Sequence, residues 1–331
     1  MDSTGPIVII EVPYHLGRKS VGVGAGPARF IEAGVEGVVA GAVVESGREA
    51  RLRRWDSDVT FRHEIGTAME VVTMLSAIVR DTVASGGFPL VLAGNCNSCL
   101  GVLAGAGNGD TGIVWFDAHA DFNTPDTTLS GYFDGMPLSA ATGLSWRSLV
   151  RRVPGFRPVS AQDVVLAGVR EIDKGEERFL VGSGVTVVSA EQIARDGIAD
   201  ALVPTLDGLS TRVRNVYLHI DIDVTGAGKA AANEFTRAGW GLPAETVAEA
   251  CRHVASRFRL VGAALTGYNP DFDETGDTLA AGLHIAGAVA GAAALVSPQE
   301  RAAPGVLPGE AARGRSVEQP DDGVADHPEA R

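Results

Sequence analysis

The chain is predicted to be α/β, one large domain with a mostly parallel sheet, and three observations predict it. Short apolar runs rich in Val, Ile and Leu alternate with longer segments of helical periodicity, as in strands joined by crossover helices. Several runs are continuously apolar rather than alternating, as at Phe88 to Ala93 and Gly112 to Phe116, which suits strands covered on both faces. Two runs end in acidic clusters, Asp117-Ala-His-Ala-Asp121 and Asp221-Ile-Asp223. Open α/β sheets bind their ligands there, outside the carboxyl ends of the strands.

Taken in order, Ile7 to Val12 is a β-branched run and reads as the first strand. Gly22 to Pro27 is a Gly-rich loop, and Pro27 to Gly34 starts a helix. Glu64 to Ala84 has apolar positions at helical spacing and no Gly or Pro after Gly66, so it reads as a long helix. Phe88 to Ala93 is a buried strand closed by Gly94, Cys99 to Ala106 a helix, and Gly112 to Phe116 the next strand. Strands follow at Val164 to Val169 and Val185 to Ser189, and Ala190 to Ile193 opens a helix. Val216 to Ile222 is a strand, Ala244 to Phe258 a helix, Leu260 to Thr266 a strand and Thr278 to Val296 a helix. No internal repeats occur. From Ser297 to Arg331 the composition shifts to Pro, Gly, Ala, Glu and Asp, so residues 1–296 are predicted to fold and 297–331 to form a disordered tail.

Composition narrows the class. The 331 residues carry a net charge of −13, which argues against nucleic acid or an anionic membrane as partner. The stretch nearest to a membrane span, Ala280 to Val296, is rich in Ala and Gly and reads as a buried helix. The first residues lack the basic segment of a signal peptide. Three cysteines (Cys96, Cys99 and Cys251) suggest no disulfide framework, so a reducing cytoplasm is the expected setting.

The two acidic clusters carry the chemistry. Residues two apart on an extended strand point to one side, so Asp117, His119 and Asp121 form one set and Asp221 and Asp223 another. Carboxylates and imidazole suit hard divalent cations, and two such strand ends can converge to hold a pair.

In these motifs the chain resembles the arginase (ureohydrolase) family. That family's segments are Gly-Gly-Asp-His-Ser, Asp-Ala-His-x-Asp, Ser-Gly-x-x-His-Gly-Met-Pro, Asp-x-Asp and Glu-x-Asn-Pro. Here they read Ala93-Gly-Asn-Cys96-Asn, Asp117-Ala-His-Ala-Asp121, Ser130-Gly-Tyr-Phe-Asp134-Gly-Met-Pro137, Asp221-Ile-Asp223 and Gly267-Tyr-Asn-Pro270, in the same order between about Ile7 and Val296. The resemblance implies a three-layer fold with a mostly parallel eight-stranded sheet flanked by helices. It implies two divalent ions, Mn²⁺ as in most of the family or Zn²⁺ given a cysteine ligand, and a hydroxide bridging them that attacks a guanidinium carbon. By position, Asp117 and Asp221 bridge the ions, His119 and Asp223 complete one site, and Asp121 and Cys96 serve the other. Asp121 also orients the hydroxide. Asn123 and Ser130 match the residues that hold a substrate α-carboxylate, and Asp173 and Glu176 match the loop that holds the α-amine. The implied partner is a small amino-acid substrate, and the implied assembly a homo-oligomer, trimeric or hexameric.

Three positions depart from the family. Cys96 replaces a metal histidine: a thiolate ligand, a packed thiol, or half of a Cys96-x-x-Cys99 redox pair. A branch of the family carries Cys there, typified by an Nω-hydroxy-L-arginine amidinohydrolase of D-cycloserine biosynthesis, and the resemblance extends to it. Asp134 replaces the histidine that moves protons to the leaving amine; it is a catalytic candidate there, or a partner for a cationic group. Gly267 replaces the glutamate that clamps the guanidinium. An Nω-hydroxyguanidine is less basic and tolerates that loss better. Beyond these, His219 is either a core histidine or a partner that orients a ligand, His15 is expected beside the pocket, and Glu234 is a substitute clamp or an exposed loop residue. Lys229 shares its divergent loop.

Overall fold

The structure is a computed structural model that describes residues 5–60, 63–107, 109–226, 231–236 and 240–295. Ten strands occur among them: β1 (Ile7–Val12), β2 (Tyr14–His15), β3 (Arg18–Lys19), β4 (Ala50–Arg53), β5 (Phe88–Ala93), β6 (Thr111–Phe116), β7 (Val164–Val169), β8 (Thr186–Ser189), β9 (Asn215–Asp221) and β10 (Arg259–Thr266). Eight form one sheet in the order β4-β1-β5-β10-β9-β6-β7-β8. Every pairing in it is parallel, as the βαβ alternation predicts. β2 and β3 make a small antiparallel hairpin just past β1.

Side chains alternate across the pleat and divide the core in two. Ile7, Ile9, Leu90, Leu92, Val114 and Phe116 face the helices Val35–Val43, Ala244–Arg257 and Asp277–Leu295. Ile10, Val12, Val91, Ile113 and Trp115 face the helices Glu64–Ala84 and Ser98–Ala106. β5, β6 and β7 are buried at every residue, which is why their sequences are continuously apolar. The result is three layers, helix, sheet and helix.

Two helices of the second layer approach closely because one presents glycines to the other. A Cβ on Gly101 would lie 2.8 Å from the Val72 carbonyl oxygen, and one on Gly105 2.4 Å from that of Ser76. The Gly22–Gly26 loop uses the same device at the carboxyl edge of the sheet: a Cβ on Gly94 would fall 2.2 Å from the Tyr14 carbonyl oxygen, and one on Gly26 2.3 Å from that of Tyr268. Main chain packs on main chain there, so the loop closes tightly over the strand ends.

The predicted elements are found with shifted ends, and the structure adds others that are not predicted, the helices Val35–Val43 and Val203–Ser210 and the β2–β3 hairpin among them. Two more of these are informative. β4, with the sequence Ala-Arg-Leu-Arg, is an edge strand whose arginines face solvent, and its two apolar residues are too few to mark a strand. The helix Lys174–Leu180 lies in what reads as a loop; Asp173 and Glu176 open it with a reciprocal capping box. The helix Asp277–Leu295 is, by length and composition alone, apolar enough to cross a membrane; Ile285, Ala286, Val289 and Ala290 are buried in the core against neighbouring helices. The predicted tail, residues 297–331, lies outside the described residues, as does Lys229.

Leu75 is fully buried at the glycine-lined helix contact. Leu75→Ala is expected to lower unfolding stability by about 2–5 kcal/mol, read as a reduced urea midpoint at unchanged slope.

Candidate metal centre

The carboxyl ends of β5, β6, β7, β9 and β10 converge on one cavity of about 560 Å³. Cys96, Asp117, His119, Asp121, Asp221 and Asp223 all line it, so the structure brings together the full set of ligand residues expected from the sequence. Asn123, Ser130, Asp134, Asp173 and Glu176 line the same cavity.

Three of the four carboxylates are fixed by donors from their surroundings. Asp117 accepts from Trp115 Nε1 at 2.9 Å and from the backbone N–H of His119 at 2.7 Å. Asp221 accepts from the backbone N–H of Asp223 at 2.9 Å and from the Cys96 thiol at 2.9 Å. Asp223 accepts from the N–H of Ala118 at 3.1 Å and from the Thr236 hydroxyl at 2.6 Å. His119 Nδ1 stands 3.2 Å from Asp223 Oδ2 and 3.5 Å from Asp117 Oδ1. Asp121 sits in the left-handed backbone region at φ 50°, held by its carbonyl, which accepts from Leu138 N–H at 3.0 Å. Its Oδ2 is buried and has no hydrogen-bond partner.

The electrostatics follow from this crowding. Burial and then neighbouring carboxylates push Asp121 and Asp221 well above the usual carboxylate range, and burial with Asp223 raises Asp117 to about 6. Burial alone would disfavour a charged His119, but the Asp223 and Asp117 carboxylates outweigh it and hold its pKa well above normal. Burial also opposes ionisation of Asp223, and His119 together with the Thr236 hydroxyl and the Ala118 N–H overcomes it. The Cys96 thiol is pushed up by burial and by Asp221. Four carboxylates thus share two protonatable neighbours, and one carboxylate oxygen is orphaned. Divalent cations fit this donor set, because they supply the positive charge that buried carboxylates otherwise obtain from protons. Ligand atoms of Asp117, His119 and Asp223 lie within 4.8 Å of one another, as one ion requires.

His219 shares such a grouping with Cys96 and Asp117, but its ring is engaged elsewhere. It stacks on Trp115 at 3.5 Å, its Nδ1 pairs with the Tyr217 hydroxyl at 2.8 Å and its Nε2 with the Thr266 hydroxyl at 3.2 Å. Burial holds it neutral. Thr266 in turn reaches Cys96 Sγ at 3.1 Å, so His219 stands one hydroxyl away from a candidate ligand.

The departures from the family also occupy defined places. Asp134 accepts from the Asn95 side-chain amide and from the Asn97 N–H at 3.1 Å; burial raises its carboxyl to about 7. Gly267 has φ 78°, and a Cβ there would fall 2.2 Å from Asp221 Oδ1. Glu234 accepts from Asn269 Nδ2 at 2.7 Å and does not line the cavity. His15 is buried behind Tyr132. Asn123 donates to Asp173 Oδ2 at 3.0 Å, and Ser130 lies exposed at the mouth. Both Glu176 oxygens accept backbone N–H groups, from Phe122 at 2.6 Å and Asp173 at 3.2 Å, and burial raises its pKa to about 7. Glu176 therefore locks the loop on which Asp173 sits.

The sequence reading missed Asn95, Tyr132, Trp115, Thr236, Thr266 and Arg170. The first three lie within or beside the quoted motifs and are identifiable only as their unassigned positions. Thr236 comes from the divergent loop and carries no sequence signal. Arg170, whose Nη2 donates to the Asp223 carbonyl at 2.8 Å, is the cationic side chain among the cavity residues.

Fold and site together define a three-layer α/β protein with a carboxylate-rich candidate metal centre at the carboxyl ends of its central strands. Comparison gives the lineage. The Arginase family pattern matches residues 5–291, and the chain belongs to that family. It is 31% identical to an arginase of Bacillus caldovelox over 303 residues, 86% of this chain and 98% of that one. The crystal structure of Bacillus cereus arginase superposes with a TM-score of 0.75 at 28% identity, covering 86% and 98% of the two chains. Proclavaminate amidino hydrolase from Streptomyces clavuligerus shares the fold, with a TM-score of 0.66 at 21% identity and coverage of 87% and 92%.

Purified protein is expected to retain divalent metal through gel filtration, with Asp223→Asn cutting metal content by at least half. Chelation is expected to lower Tm, because an ion bound to the folded chain alone stabilises it. Unchanged metal content in the variant would count against Asp223 as a ligand.

Proposed function

We propose that the protein is a metal-dependent amidinohydrolase acting on an arginine-like α-amino acid, with Nω-hydroxy-L-arginine as its preferred substrate and ornithine plus hydroxyurea as products. The observation that carries this reading is the convergence of Asp117, His119, Asp121, Asp221, Asp223 and Cys96 on one cavity. Cys96, Asp117, His119, Asp121, Asp221 and Asp223 would hold two divalent ions, Mn²⁺ or, given the thiol, Zn²⁺. Ions bound there supply a water nucleophile of lowered pKa.

The chain's own residues do the rest. Asp121, with its unpartnered Oδ2, accepts a proton from the attacking water. Asn123, Ser130 and Asp173 take the amino-acid end of the substrate. Arg170, just past β7, lines the same cavity and donates to the Asp223 carbonyl. Asp134, held as an acceptor by Asn95 and Asn97, faces the substrate's polar head.

The head is where this cavity differs from an arginine pocket. A plain guanidinium needs a buried carboxylate partner. Position 267 has none, and its place is taken by bare main chain. A less basic hydroxyguanidine fits that wall better. The same feature motivates a second reading, hydrolysis of another C–N bond such as an amide or another guanidino acid. Three buried free cysteines suit a cytoplasmic setting, and trimeric or hexameric assembly belongs to the same reading.

Metal-loaded protein is expected to release hydroxyurea from Nω-hydroxy-L-arginine at least tenfold faster, by kcat/KM, than urea from L-arginine. Asp173→Asn is expected to raise KM about tenfold or more with little change in kcat, since it removes substrate binding alone. Turnover of an amide or another guanidino acid in preference to both, seen by mass spectrometry across a panel, would select the second reading.

A further inference from the structure

The family's proton-moving histidine is absent, and Asp134 in its place is poorly built to donate. Burial raises its carboxyl, but both its oxygens accept hydrogen bonds, from the Asn95 amide and the Asn97 N–H, so neither is placed to present a proton to the cavity. Bound cations nearby would hold it ionised. Cleaving a C–N bond nevertheless requires a proton on the departing nitrogen.

Two residues before Asp134, Tyr132 lines the same cavity. Its ring is locked between His15 and Phe235, with centroids 6.0 and 5.1 Å away. Its hydroxyl is hydrogen-bonded to His15 Nε2. His15 is buried, and its other nitrogen, Nδ1, has no hydrogen-bond partner. Nδ1 faces Glu234 Oε1 at 3.9 Å, and the Glu234 side chain is 31% exposed, so it reaches solvent at the rim. Tyr132, His15 and Glu234 therefore form a file from the cavity to the surface. They are drawn from three separate segments of the chain, none of which contributes a candidate metal ligand. The charged groups acting on His15 are Glu234, Arg18 and Glu64, and its own burial keeps the ring neutral.

We propose that Tyr132 is the proton donor to the leaving nitrogen, resupplied from the rim through His15 beside Glu234. This rests on the hydrolase reading above. As the C–N bond breaks, its electron pair goes to nitrogen, which takes the Tyr132 hydroxyl proton. The phenol oxygen takes the proton from His15 Nε2, Nδ1 takes one from solvent at Glu234, and proton exchange with solvent returns the ring to its Nε2–H tautomer before the next turnover. The proton that the attacking water loses leaves to solvent by way of Asp121, so each turnover consumes one water and no net proton is created or lost within the site. Burial and the nearby Asp134 raise Tyr132 above the ordinary phenol value, so the proton stays on the phenol in the resting site; a nitrogen departing with the electron pair of the C–N bond is a far stronger base than a phenolate and takes it.

The test compares the guanidino substrate with an isothiourea analogue whose thiolate leaves without protonation. Tyr132→Phe is expected to lower kcat on the guanidino substrate about 100-fold or more, within the range for general-acid catalysis, with KM and metal content unchanged. On the isothiourea it should run within about threefold of wild type. His15→Gln, whose amide can hold the phenol but cannot pass a proton between two ring nitrogens, should show the same selective loss. Equal rates for Tyr132→Phe and wild type, or equal losses on both substrates, would overturn the proposal while leaving the hydrolase reading intact. His15→Gln matching wild type would remove the resupply route. A wild-type protein that turns over neither compound would overturn the hydrolase reading, and the proton donor with it.

Discussion

Four buried carboxylates are held around one imidazole and one thiol, and much of the architecture exists to keep them there. Carboxylates at such spacing repel, and burial removes the water that would screen them. The chain answers with fixed donors rather than with lysines. Trp115 Nε1, the N–H groups of Ala118, His119 and Asp223 and the hydroxyl of Thr236 each neutralise part of one carboxylate. What they leave uncompensated, above all Asp121 Oδ2, defines the charge a ligand must bring. The parallel sheet serves this end. Only adjacent parallel strands present their carboxyl ends side by side, and β6 and β9 are neighbours in register, Phe116 opposite Ile220.

The strain of the arrangement is stored locally and backed by packing. Asp121 adopts a left-handed backbone conformation that an aspartate tolerates but does not prefer. Two N–H groups of the following short helix, those of Leu138 and Ser139, fasten its carbonyl. The Trp115 ring that donates to Asp117 is itself sandwiched in the core by His219, whose two nitrogens are satisfied by Tyr217 and Thr266. This buried polar chain ends on Cys96. A thiol at position 96 is thus part of a matched set of neighbours rather than an isolated substitution.

Much of this was legible in the sequence because metal chemistry needs particular residue types at particular spacings. The strand-end pairs Asp117 and Asp121, and Asp221 and Asp223, announce themselves by their spacing after an apolar run, although it is not extended alternation that aligns them: β6 ends at Phe116, Asp121 is left-handed and Asp223 sits in a 3-10 turn past β9. The buried strands announce themselves by continuous hydrophobicity. The edge strand β4 does not, since half its side chains face water and its pairing comes entirely from β1. Thr236 and Asn233 were illegible for a different reason: they act from a loop with no periodicity, and only the fold brings them to Asp223 and Gly267. Glu176 shows the opposite limit. Its position marks it as a substrate-loop acid, yet its partners are two backbone N–H groups, a relation that no motif spacing encodes.

Gly267 shows that the departure from an arginine pocket lies in the backbone and not in one side chain. Its φ of 78° favours glycine, and any Cβ would overlap the Asp221 carboxylate. Its peptide is tied at both ends: its N–H donates to the Gly94 carbonyl at 3.2 Å, and its own carbonyl accepts from Asn233 Nδ2 at 2.8 Å. Gly94 in turn has no room for a side chain against Tyr14 and the Gly22–Gly26 loop. A glutamate at 267 would have to displace the Asp221 carboxylate and hold a positive φ. The wall beside the Asp221 carboxylate is main chain, and on the proposed reading the substrate head that meets it is one that calls for no buried counter-charge there.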